Sequence, residues 1–336
     1  MRRRHRRPLR RTAILVALVL TLLPTGVAIA RDTPTTGDRY QPIDPTTLIE
    51  QATVQPDPLL KSGTFRLATY SIRSLAWERL PLNGRTLARL IPPSNGDADG
   101  IAYTVVGGKN YYHPGNIADE GIRFVDSYVR TGRSWYLERA LLRANKLRQL
   151  GVVRNGALFI PYPFNYSAES LAAPWVSAYA QGLALSFFVR LYRVTGDQAD
   201  LDTAQQIFRS FRRLGPGTAF WVSYVRSGEL WLEQYPSSRP THVLNGFGFA
   251  AFGLYEYERL TRDPAARQLL LGALSTIRHN AGAYRVPGEV SLYDLVHRTQ
   301  LKHYHDVVVW QMRDFGLITR DPYFAGLANV LQVDGS

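Results

Sequence analysis

The stretch "RVTGDQADLDTA" at residues 193–204 decides the fold, because the same pattern occurs three more times in the chain. The other copies are "VRTGRSWYLERA", "RLTRDPAARQLL" and "LITRDPYFAGLA", at 129–140, 259–270 and 317–328. The threonine that they share recurs at intervals of 64, 66 and 58 residues, at Thr131, Thr195, Thr261 and Thr319. Repeats of this length indicate stacked pairs of helices.

Each copy has the chemistry of a tight turn between two helices. A glycine or an arginine follows the threonine, at the position where the first helix ends. Asp197, Asp263 and Asp321 stand where they can cap the N-terminus of the next helix. Pro264 and Pro322 occupy first-turn positions, where proline is tolerated. The pattern therefore predicts four αα-hairpins.

The two helices of each predicted hairpin differ in polarity. The first is apolar nearly all round, as in "SAYAQGLALSFFVRLY" at 177–192, which is typical of a buried helix. The second is amphipathic, as in "ADLDTAQQIFRSFRR" at 199–213. We therefore predict an all-α dominated fold. It is an (α/α) barrel, formed as an incomplete toroid of about four helical hairpins, with a small N-terminal β-hairpin element.

Four segments are predicted along the 336 residues. Residues 1–30 have a basic start, a short apolar run and a small-x-small site that ends at Ala30. This pattern predicts a cleaved signal peptide, and an uncleaved membrane anchor is the alternative. Residues 31–62 predict an extended linker, 63–112 the small β element and 113–336 the (α/α)-barrel catalytic domain. The expected location is secreted or extracytoplasmic, with no stable membrane insertion after cleavage.

Composition narrows the classes of function. The formal net charge of +13 falls to +6 without the seven arginines of the first thirty residues. A modest positive surplus fits an anionic polymer, although solubility alone would also account for it. The chain has no basic helix and no zinc pattern, so we expect no nucleic-acid partner. It has no cysteine, which excludes disulfides, thiol catalysis and thiolate metal sites.

The predicted inner helices are parallel, because each is the first of its pair. Their N-termini therefore share one rim, where free N–H groups favour anionic groups. The segments that enter these helices are rich in tyrosine, namely Tyr111, Tyr112, Tyr162, Tyr166, Tyr235, Tyr293 and Tyr304. A perturbed phenol can transfer a proton, and an aromatic rim can also stack on sugar rings without chemistry. Both interpretations stay open at this point.

Other rim residues also have two interpretations. Glu233 and Asp294 form a candidate carboxylate pair for glycoside hydrolysis, which would require a particular separation. Asn245 serves either helix packing or ligand contact. His297 could join His303 and His305 in a metal site, but residues 303 and 305 point apart on a helix. We predict no metal site.

Four segments carry a further signal. They are "HPGNIADEGI", "PWVSAYAQGLALSFFVRLYRVTGD", "EQYPSSRPTHVLNGFGFAAFGLYEY" and "SLYDLVHRTQLKHYH". In this order and spacing they resemble the C-terminal region of the D-glucuronyl C5-epimerases, which convert glucuronic to iduronic acid in heparin-like polysaccharides. The resemblance covers roughly residues 110 to 332.

The resemblance implies an α/α barrel, epimerisation of the polymer without a dissociable cofactor, and tyrosines as the acid and base. Tyr235 of "QYP", Tyr293 of "LYDL" and Tyr304 of "HYH" match the functional tyrosines of the family. Asn245 matches the asparagine of the "LNGF" motif, and Gln181 matches the glutamine of "AQG".

The chain also departs from the family pattern. Gln234 stands where an acid is expected, although Glu233 is adjacent. Val296 stands where an arginine is expected, with Arg298 two residues further on. The β-barrel that helps to form the cleft in the animal enzymes is mostly missing. These departures leave open the same chemistry on another uronate, a different reaction or a loss of activity.

The predicted chemistry follows from the acidity of a uronic acid at C5. Removal of this proton, which is α to a carboxylate, creates a dianionic species that needs neutralisation. We predict Tyr304 and Tyr235 as the acid–base pair, with Tyr293 assisting. Arg239 and Arg298 are expected to help neutralise the charge. The other predicted substrate-binding residues are Gln181, Glu233, Gln234, His242, Asn245, Asp294 and His297.

The predicted function is therefore a C5-epimerase of uronic acid residues in a polysaccharide. The alternatives are a polysaccharide lyase, a glycoside hydrolase or a non-catalytic glycan-binding protein. The expected partner is an anionic uronic-acid polysaccharide of the heparosan type, and a homodimer stays open as an alternative to a monomer. No cofactor is expected.

Overall fold

The computed structural model describes residues 60–61, 64–84, 86–217 and 219–336. All of them belong to one compact unit, Arg39–Ser336. The predicted signal peptide lies outside the described residues, as does nearly all of the predicted linker. Within the described ranges, no helix is long and apolar enough to cross a membrane.

Eight α-helices form four consecutive hairpins in the described part of the chain, which confirms the predicted fold class. The hairpins are α1 (Pro114–Thr131) with α2 (Ser134–Leu150), α3 (Ala178–Thr195) with α4 (Gln198–Phe211), α5 (Leu244–Thr261) with α6 (Pro264–Asn280), and α7 (Lys302–Thr319) with α8 (Pro322–Asp334). The first helices pack on one another, with α3 between α1 and α5 and with α7 against α5. We call α1, α3, α5 and α7 the inner helices.

The four connectors share one hydrogen-bond pattern. In the second copy, the Thr195 hydroxyl donates to the Leu191 carbonyl at 3.0 Å and accepts from the Asp197 N–H at 3.1 Å. The same two bonds recur in the other three copies. The carboxylates of Asp197, Asp263 and Asp321 accept the N–H two residues later, as N-caps. The predicted turns are therefore confirmed in detail.

Short β elements precede three of the inner helices. β1 (Thr104–Val106) and β2 (Lys109–Tyr111) form a hairpin before α1, and β3 (Val152–Arg154) and β4 (Ala157–Phe159) form one before α3. Before α5, β6 (Ser223–Arg226) pairs antiparallel with β7 (Glu229–Leu232) and parallel with β5 (Leu214–Gly215).

The N-terminal β element is smaller than the sequence predicts. The run "TFRLATYSI", residues 64–72, forms no strand. Its backbone instead bonds to distant parts of the chain, with the Arg66 N–H on the Gly228 carbonyl and the Ala68 N–H on the Leu271 carbonyl. A strand pattern without a strand partner gives an extended arm. Among the described residues of 63–112, the β1–β2 hairpin and a single antiparallel bridge between Gly96 and Ala102 form.

Glycine allows the inner helices to approach closely. A β-carbon at Gly182 of α3 would lie 2.4 Å from the Ala250 α-carbon of α5, and one at Gly253 would lie 2.4 Å from the Gly182 carbonyl oxygen. A side chain at either position would therefore push the two backbones apart. The apolar all-round pattern of these helices is explained by this burial on every side.

A buried ion network fixes the axial positions of three inner helices. Arg190 of α3 is fully buried, and its Nη1 bonds both carboxylate oxygens of Asp126 of α1 at 2.9 Å. Its Nε and Nη2 bond Glu256 of α5 at 2.8 and 2.7 Å. Each of the three residues lies twelve positions after the first residue of its helix. The network therefore aligns the N-termini of α1, α3 and α5 at one level, about 18 Å away along the helix axes.

We expect Arg190→Met to lower the free energy of unfolding by about 3–5 kcal/mol, because it leaves two buried carboxylates without their cation. Urea unfolding followed by circular dichroism measures the loss. The matched control is Arg123→Met, which removes an exposed pair with Asp119 at 2.9 Å and should cost less than about 1 kcal/mol. Equal losses in the two variants would contradict the role given to Arg190.

Candidate active site

The loops that enter neighbouring inner helices are joined by backbone hydrogen bonds. The Ala178 N–H at the start of α3 donates to the Glu233 carbonyl at 2.8 Å. The Leu244 N–H at the start of α5 donates to the Tyr293 carbonyl at 3.2 Å. These bonds use N–H groups that a helix N-terminus leaves without intrahelical partners. They hold the loops before α3, α5 and α7 side by side.

Two phenols and one amide form a hydrogen-bonded triangle on these loops. The Tyr235 and Tyr293 hydroxyl oxygens lie 3.0 Å apart, although the residues are 58 positions apart in the chain. Gln234 Nε2 donates to the Tyr235 hydroxyl at 2.9 Å and to the Tyr293 hydroxyl at 3.0 Å. We call these three residues the phenol triangle.

Two further tyrosines extend the phenol triangle on either side. The Tyr304 ring packs on the Tyr293 ring with centroids 4.7 Å apart, and the Tyr166 ring packs on Tyr235 at 5.1 Å. All four tyrosines are half-buried, so they border the surface without being sealed from it. The structure thus brings together Tyr235, Tyr293 and Tyr304, the three tyrosines that the sequence singles out.

Burial controls the acidity of these phenols. It raises the pKa of Tyr235 and of Tyr293 well above the ordinary phenol value, and it raises the pKa of Tyr304 as well. The hydrogen bonds from Tyr235 and Gln234 act in the opposite direction on the pKa of Tyr293. A phenolate therefore needs local hydrogen-bond donors or a nearby cation to form here.

An aromatic cluster supports the phenol triangle from below. The Tyr162 and Trp175 rings stack in parallel with centroids 4.1 Å apart, and Phe164 meets both rings edge-on. Trp175 in turn lies 6.1 Å from the Tyr235 ring. Tyr162, Phe164 and Trp175 are themselves buried. They therefore act as a platform that fixes Tyr235 rather than as a surface for stacking sugars.

Comparison with known proteins gives the family. Residues 154–332 match the family described as "D-glucuronyl C5-epimerase C-terminus". The matched range covers more than half of the chain and includes the whole phenol triangle. The chain belongs to this C5-epimerase family. The predicted resemblance is thereby confirmed.

Individual relatives are distant in sequence. D-glucuronyl C5-epimerase of Caenorhabditis elegans is 24% identical over 156 residues, which cover 42% of this chain and 25% of that protein. An uncharacterised protein of Methanocaldococcus jannaschii is 24% identical over 208 residues, covering 61% of this chain and 67% of that one. The chain thus spans only a quarter of the C. elegans enzyme.

A solved structure agrees with the fold. The sugar epimerase from a ruminal bacterium superposes with a TM-score of 0.51 and 13% identity, covering 71% of this chain and 66% of that one. At this identity the likeness extends to the helical architecture alone.

Two residues of the C5-epimerase motifs have structural partners. Gln181 is fully buried, with Nε2 donating to the Leu158 carbonyl at 2.9 Å and Oε1 accepting from the Ile160 N–H at 2.9 Å. It anchors the strand β4 to α3, so we leave it out of the proposed binding site. Asn245 is also buried, and its carbonyl oxygen accepts from Gln311 at 2.9 Å. Its side-chain oxygen has no hydrogen-bond partner among the described residues.

The carboxylate of Glu233, a predicted rim acid, is already hydrogen-bonded within the protein. It is fully buried, and its Oε1 lies 2.7 Å from His242 Nδ1, while Oε2 accepts the His242 backbone N–H at 3.3 Å. The His242 ring packs on Trp231 with centroids 4.0 Å apart. Glu233 and His242 thus hold the loop before α5 in shape, and neither presents a free group to a substrate.

Asp294 is likewise a loop-forming residue. Its Oδ1 accepts the Val296 N–H at 2.9 Å and the His297 N–H at 2.5 Å, and its Oδ2 accepts the Thr299 hydroxyl at 2.7 Å. Three hydrogen bonds on a buried carboxylate stabilise the turn that carries Tyr293. The predicted contact of Asp294 with substrate is therefore replaced by an indirect role.

Two arginines remain available for an anionic ligand. Arg239 lies on the loop of Tyr235 and Arg298 on the loop of Tyr293, and both are exposed. Neither side chain forms an ion pair in the part of the chain that the structure describes. Arg239 follows Tyr235 by four residues, and Arg298 follows Tyr293 by five.

The predicted histidines do not converge. His297 is exposed, with Nε2 3.5 Å from Glu169 Oε2, whereas His305 is buried, with Nδ1 accepting the Ser291 N–H at 2.8 Å. His303 lies exposed at the first turn of α7. Over the described ranges, no three His, Cys, Asp or Glu side chains are grouped so as to hold a metal ion.

Glu169 is a site residue that sequence reasoning missed. It ends the short 3-10 helix Ser167–Glu169, and its side chain is only 8% exposed. Burial raises its pKa to about 7, while the neighbouring His297 opposes the shift. A single glutamate in a loop gives no signal in the sequence, and its partner lies on a loop that is far away in the chain.

A surface hollow of about 560 Å³ lies elsewhere on the molecule. It is bordered by Tyr70, Arg278 and Tyr323, and none of the predicted site residues lines it. The candidate active site is instead an open face of half-buried phenols.

The raised pKa of Glu169 makes a prediction about stability. The folded state holds the Glu169 proton up to about pH 7, and the unfolded state holds it only up to about pH 4.5. The contribution of protonated Glu169 to the free energy of unfolding is therefore full below about pH 4.5 and is lost as the pH rises through about 7. Relative to wild type, Glu169→Gln should therefore gain stability between pH 5 and pH 8. Urea midpoints at the two pH values measure this gain, with the exposed Glu138→Gln as the control. Parallel pH profiles of wild type and Glu169→Gln would contradict the prediction.

Proposed function

We propose that the protein is a carbohydrate epimerase that inverts C5 of uronic acid residues in a polysaccharide. Membership of the C5-epimerase family supports this proposal. The observation that carries it is the 3.0 Å contact between the Tyr235 and Tyr293 hydroxyls, with Tyr304 packed against Tyr293. Tyr235 and Tyr293 come from two loops and Tyr304 from the first turn of α7, and the three phenols meet at one open face.

The reaction needs a base and an acid on opposite faces of one carbon. A phenolate takes the proton from C5, and the C–H electron pair moves toward the carboxylate to form an enediolate-like intermediate. A phenol on the other face then donates its proton to C5 as the electrons return. The product has the inverted configuration, and no oxidant or reductant is required.

The arrangement of the rings favours Tyr235 and Tyr304 for these two roles. Tyr293 lies between them, hydrogen-bonded to Tyr235 on one side and in ring contact with Tyr304 on the other. The outer two phenols are therefore separated by one aromatic ring, whereas neighbours in the cluster are in direct contact. We assign Tyr293 to positioning and to proton exchange with Tyr235.

The substrate carboxylate needs cations, because the intermediate carries two negative charges. Arg239 and Arg298 are the exposed arginines of the two tyrosine loops, and each has a guanidinium free of the ion pairs seen within the described residues. We propose them as the carboxylate ligands. Arg298 then takes over the role of the arginine that Val296 replaces.

Hydrolysis is the weaker alternative. A glycosidase requires two carboxyl groups that face the sugar. Glu233 is held by His242 and Asp294 by its own turn, so neither is available, and Glu169 alone supplies one carboxyl group and not two. Polysaccharide cleavage by a lyase begins with the same C5 proton loss and differs only in the fate of the intermediate. Its product is therefore an outcome of the experiment below.

We expect wild type to place solvent deuterium at C5 of a uronic acid polymer in heavy water, as followed by proton NMR. Tyr235→Phe and Tyr304→Phe should each reduce this exchange by at least about 100-fold, the lower range for a positioned acid or base. Tyr323→Phe on α8 keeps its ring and serves as the control with wild-type exchange. Full exchange in both site variants would remove the assigned roles.

The same samples separate the rival reactions. Deuterium at C5 with an inverted configuration supports the epimerase. A new ultraviolet absorbance from an unsaturated uronide, without inversion, would identify a lyase and overturn the proposed function.

A separate prediction concerns Arg298. Arg298→Gln should lower kcat/KM by about 10- to 100-fold, which corresponds to the loss of one charged hydrogen bond of about 1.5–3 kcal/mol. Arg298→Lys keeps the charge and should recover part of the loss. Steady-state epimerisation measured by NMR gives both values, and an unchanged kcat/KM in Arg298→Gln would exclude this arginine from the site.

A further inference from the structure

Gln234 occupies an unusual position in the phenol triangle. Its Nε2 reaches both phenol oxygens, whereas its Oε1 is buried and has no hydrogen-bond partner among the described residues. A β-carbon at Gly246 would lie 2.1 Å from this oxygen, so the first turn of α5 leaves room for the amide only because residue 246 is glycine. The fold thus places the donating end of the amide against the phenols.

The number of hydrogens in the triangle is fixed by chemistry. The amide supplies two N–H donors, and each neutral phenol supplies one O–H donor. The triangle has three contacts, between Gln234 and Tyr235, Gln234 and Tyr293, and the two phenols. Two neutral phenols bring four hydrogens to three contacts, so one phenol hydrogen must point out of the triangle. When one phenol has lost its proton, three hydrogens fill three contacts.

We propose that Gln234 is a positioning residue that sets the proton count of the Tyr235–Tyr293 pair, favouring one shared phenol proton over two. The catalytic meaning of this inference rests on the proposed function, since an epimerase needs one base and one acid. The hydrogen-bond inventory itself stands on the geometry of the triangle alone.

A carboxylate at position 234 would have the opposite effect. It brings no hydrogen and two acceptor oxygens, so both phenols would donate to it and both would keep their protons. Loss of one proton would then place a phenolate beside a carboxylate, which like-charge repulsion disfavours. The replacement of the acid by Gln234 in this chain therefore changes the state in which the phenols are held.

The test introduces 3,5-difluorotyrosine at position 293, because fluorination makes the phenol more acidic and the ¹⁹F chemical shift reports its ionisation. The ionisation is measured in otherwise wild-type protein and in the Gln234→Glu and Gln234→Met variants. Gln234→Glu should move it upward by about one to three pH units. Gln234→Met, which removes the donors without adding charge, should move it upward by less.

Gly246→Ala is an independent variant. It keeps the glutamine but fills the space that Oε1 occupies, so the amide cannot hold the position from which it donates to both phenols. We expect an upward shift of the size seen with Gln234→Met. Circular dichroism at the start of each titration establishes that the variant is folded.

The outcomes separate this inference from the proposed function, because the titration needs no substrate. We expect the pH midpoint of ionisation to be lowest in wild type, higher in Gln234→Met and highest in Gln234→Glu. This order supports the proton count whether or not the protein epimerises uronates. Equal ionisation in all three, or earlier ionisation in Gln234→Glu, would overturn it. If Gln234 had a purely structural role, the ionisation midpoint in Gln234→Glu would not lie above that in Gln234→Met.

Discussion

Arg190 binds a carboxylate on each neighbouring inner helix, and this buried network sets the level of three of the four helix N-termini at the rim. A buried guanidinium must be paired on all sides, and its partners Asp126 and Glu256 come from α1 and α5. Since the three residues lie equally far from the starts of their helices, the three N-termini are level. The loops that enter α3 and α5 therefore end at the same level, and the second of them carries Gln234 and Tyr235.

The loops themselves are shaped by polar side chains that never face a ligand. Glu233 holds His242, and Asp294 accepts three hydrogen bonds from its own turn, so two buried acids fix the backbone on either side of the phenols. Backbone bonds from Ala178 and Leu244 then link the loop before α5 to the start of α3 and the loop before α7 to the start of α5. The phenols are held in place because the groups around them are already satisfied.

The local parts of this structure could be predicted from the sequence, and the long-range parts could not. The connectors around Thr195 follow from capping chemistry within a few residues, so their turns were predictable. The run that begins at Thr64 looks like a strand, but strand formation depends on a partner, which the fold does not provide. The N–H groups of Arg66 and Ala68 in this run donate to carbonyls more than 160 positions away.

The same distinction holds within the candidate site. Family motifs point to Tyr235, Tyr293 and Tyr304, and the parallel inner helices explain why they gather. The sequence gives no measure of which polar residues are already paired, so Glu233 looks like a free rim acid. Glu169 was missed for the complementary reason, because its environment comes from a loop distant in the chain.

Burial and donated hydrogen bonds have opposite effects on the pKa of the phenols, and their balance decides whether a phenol at this face can lose its proton. Burial alone would keep Tyr235 and Tyr293 protonated and would make the cluster an inert aromatic surface. The amide of Gln234 opposes this with two donated hydrogen bonds, and the same loops carry exposed arginines. A half-buried weak acid that is supplied with donors for its anion can take a proton from carbon and return it.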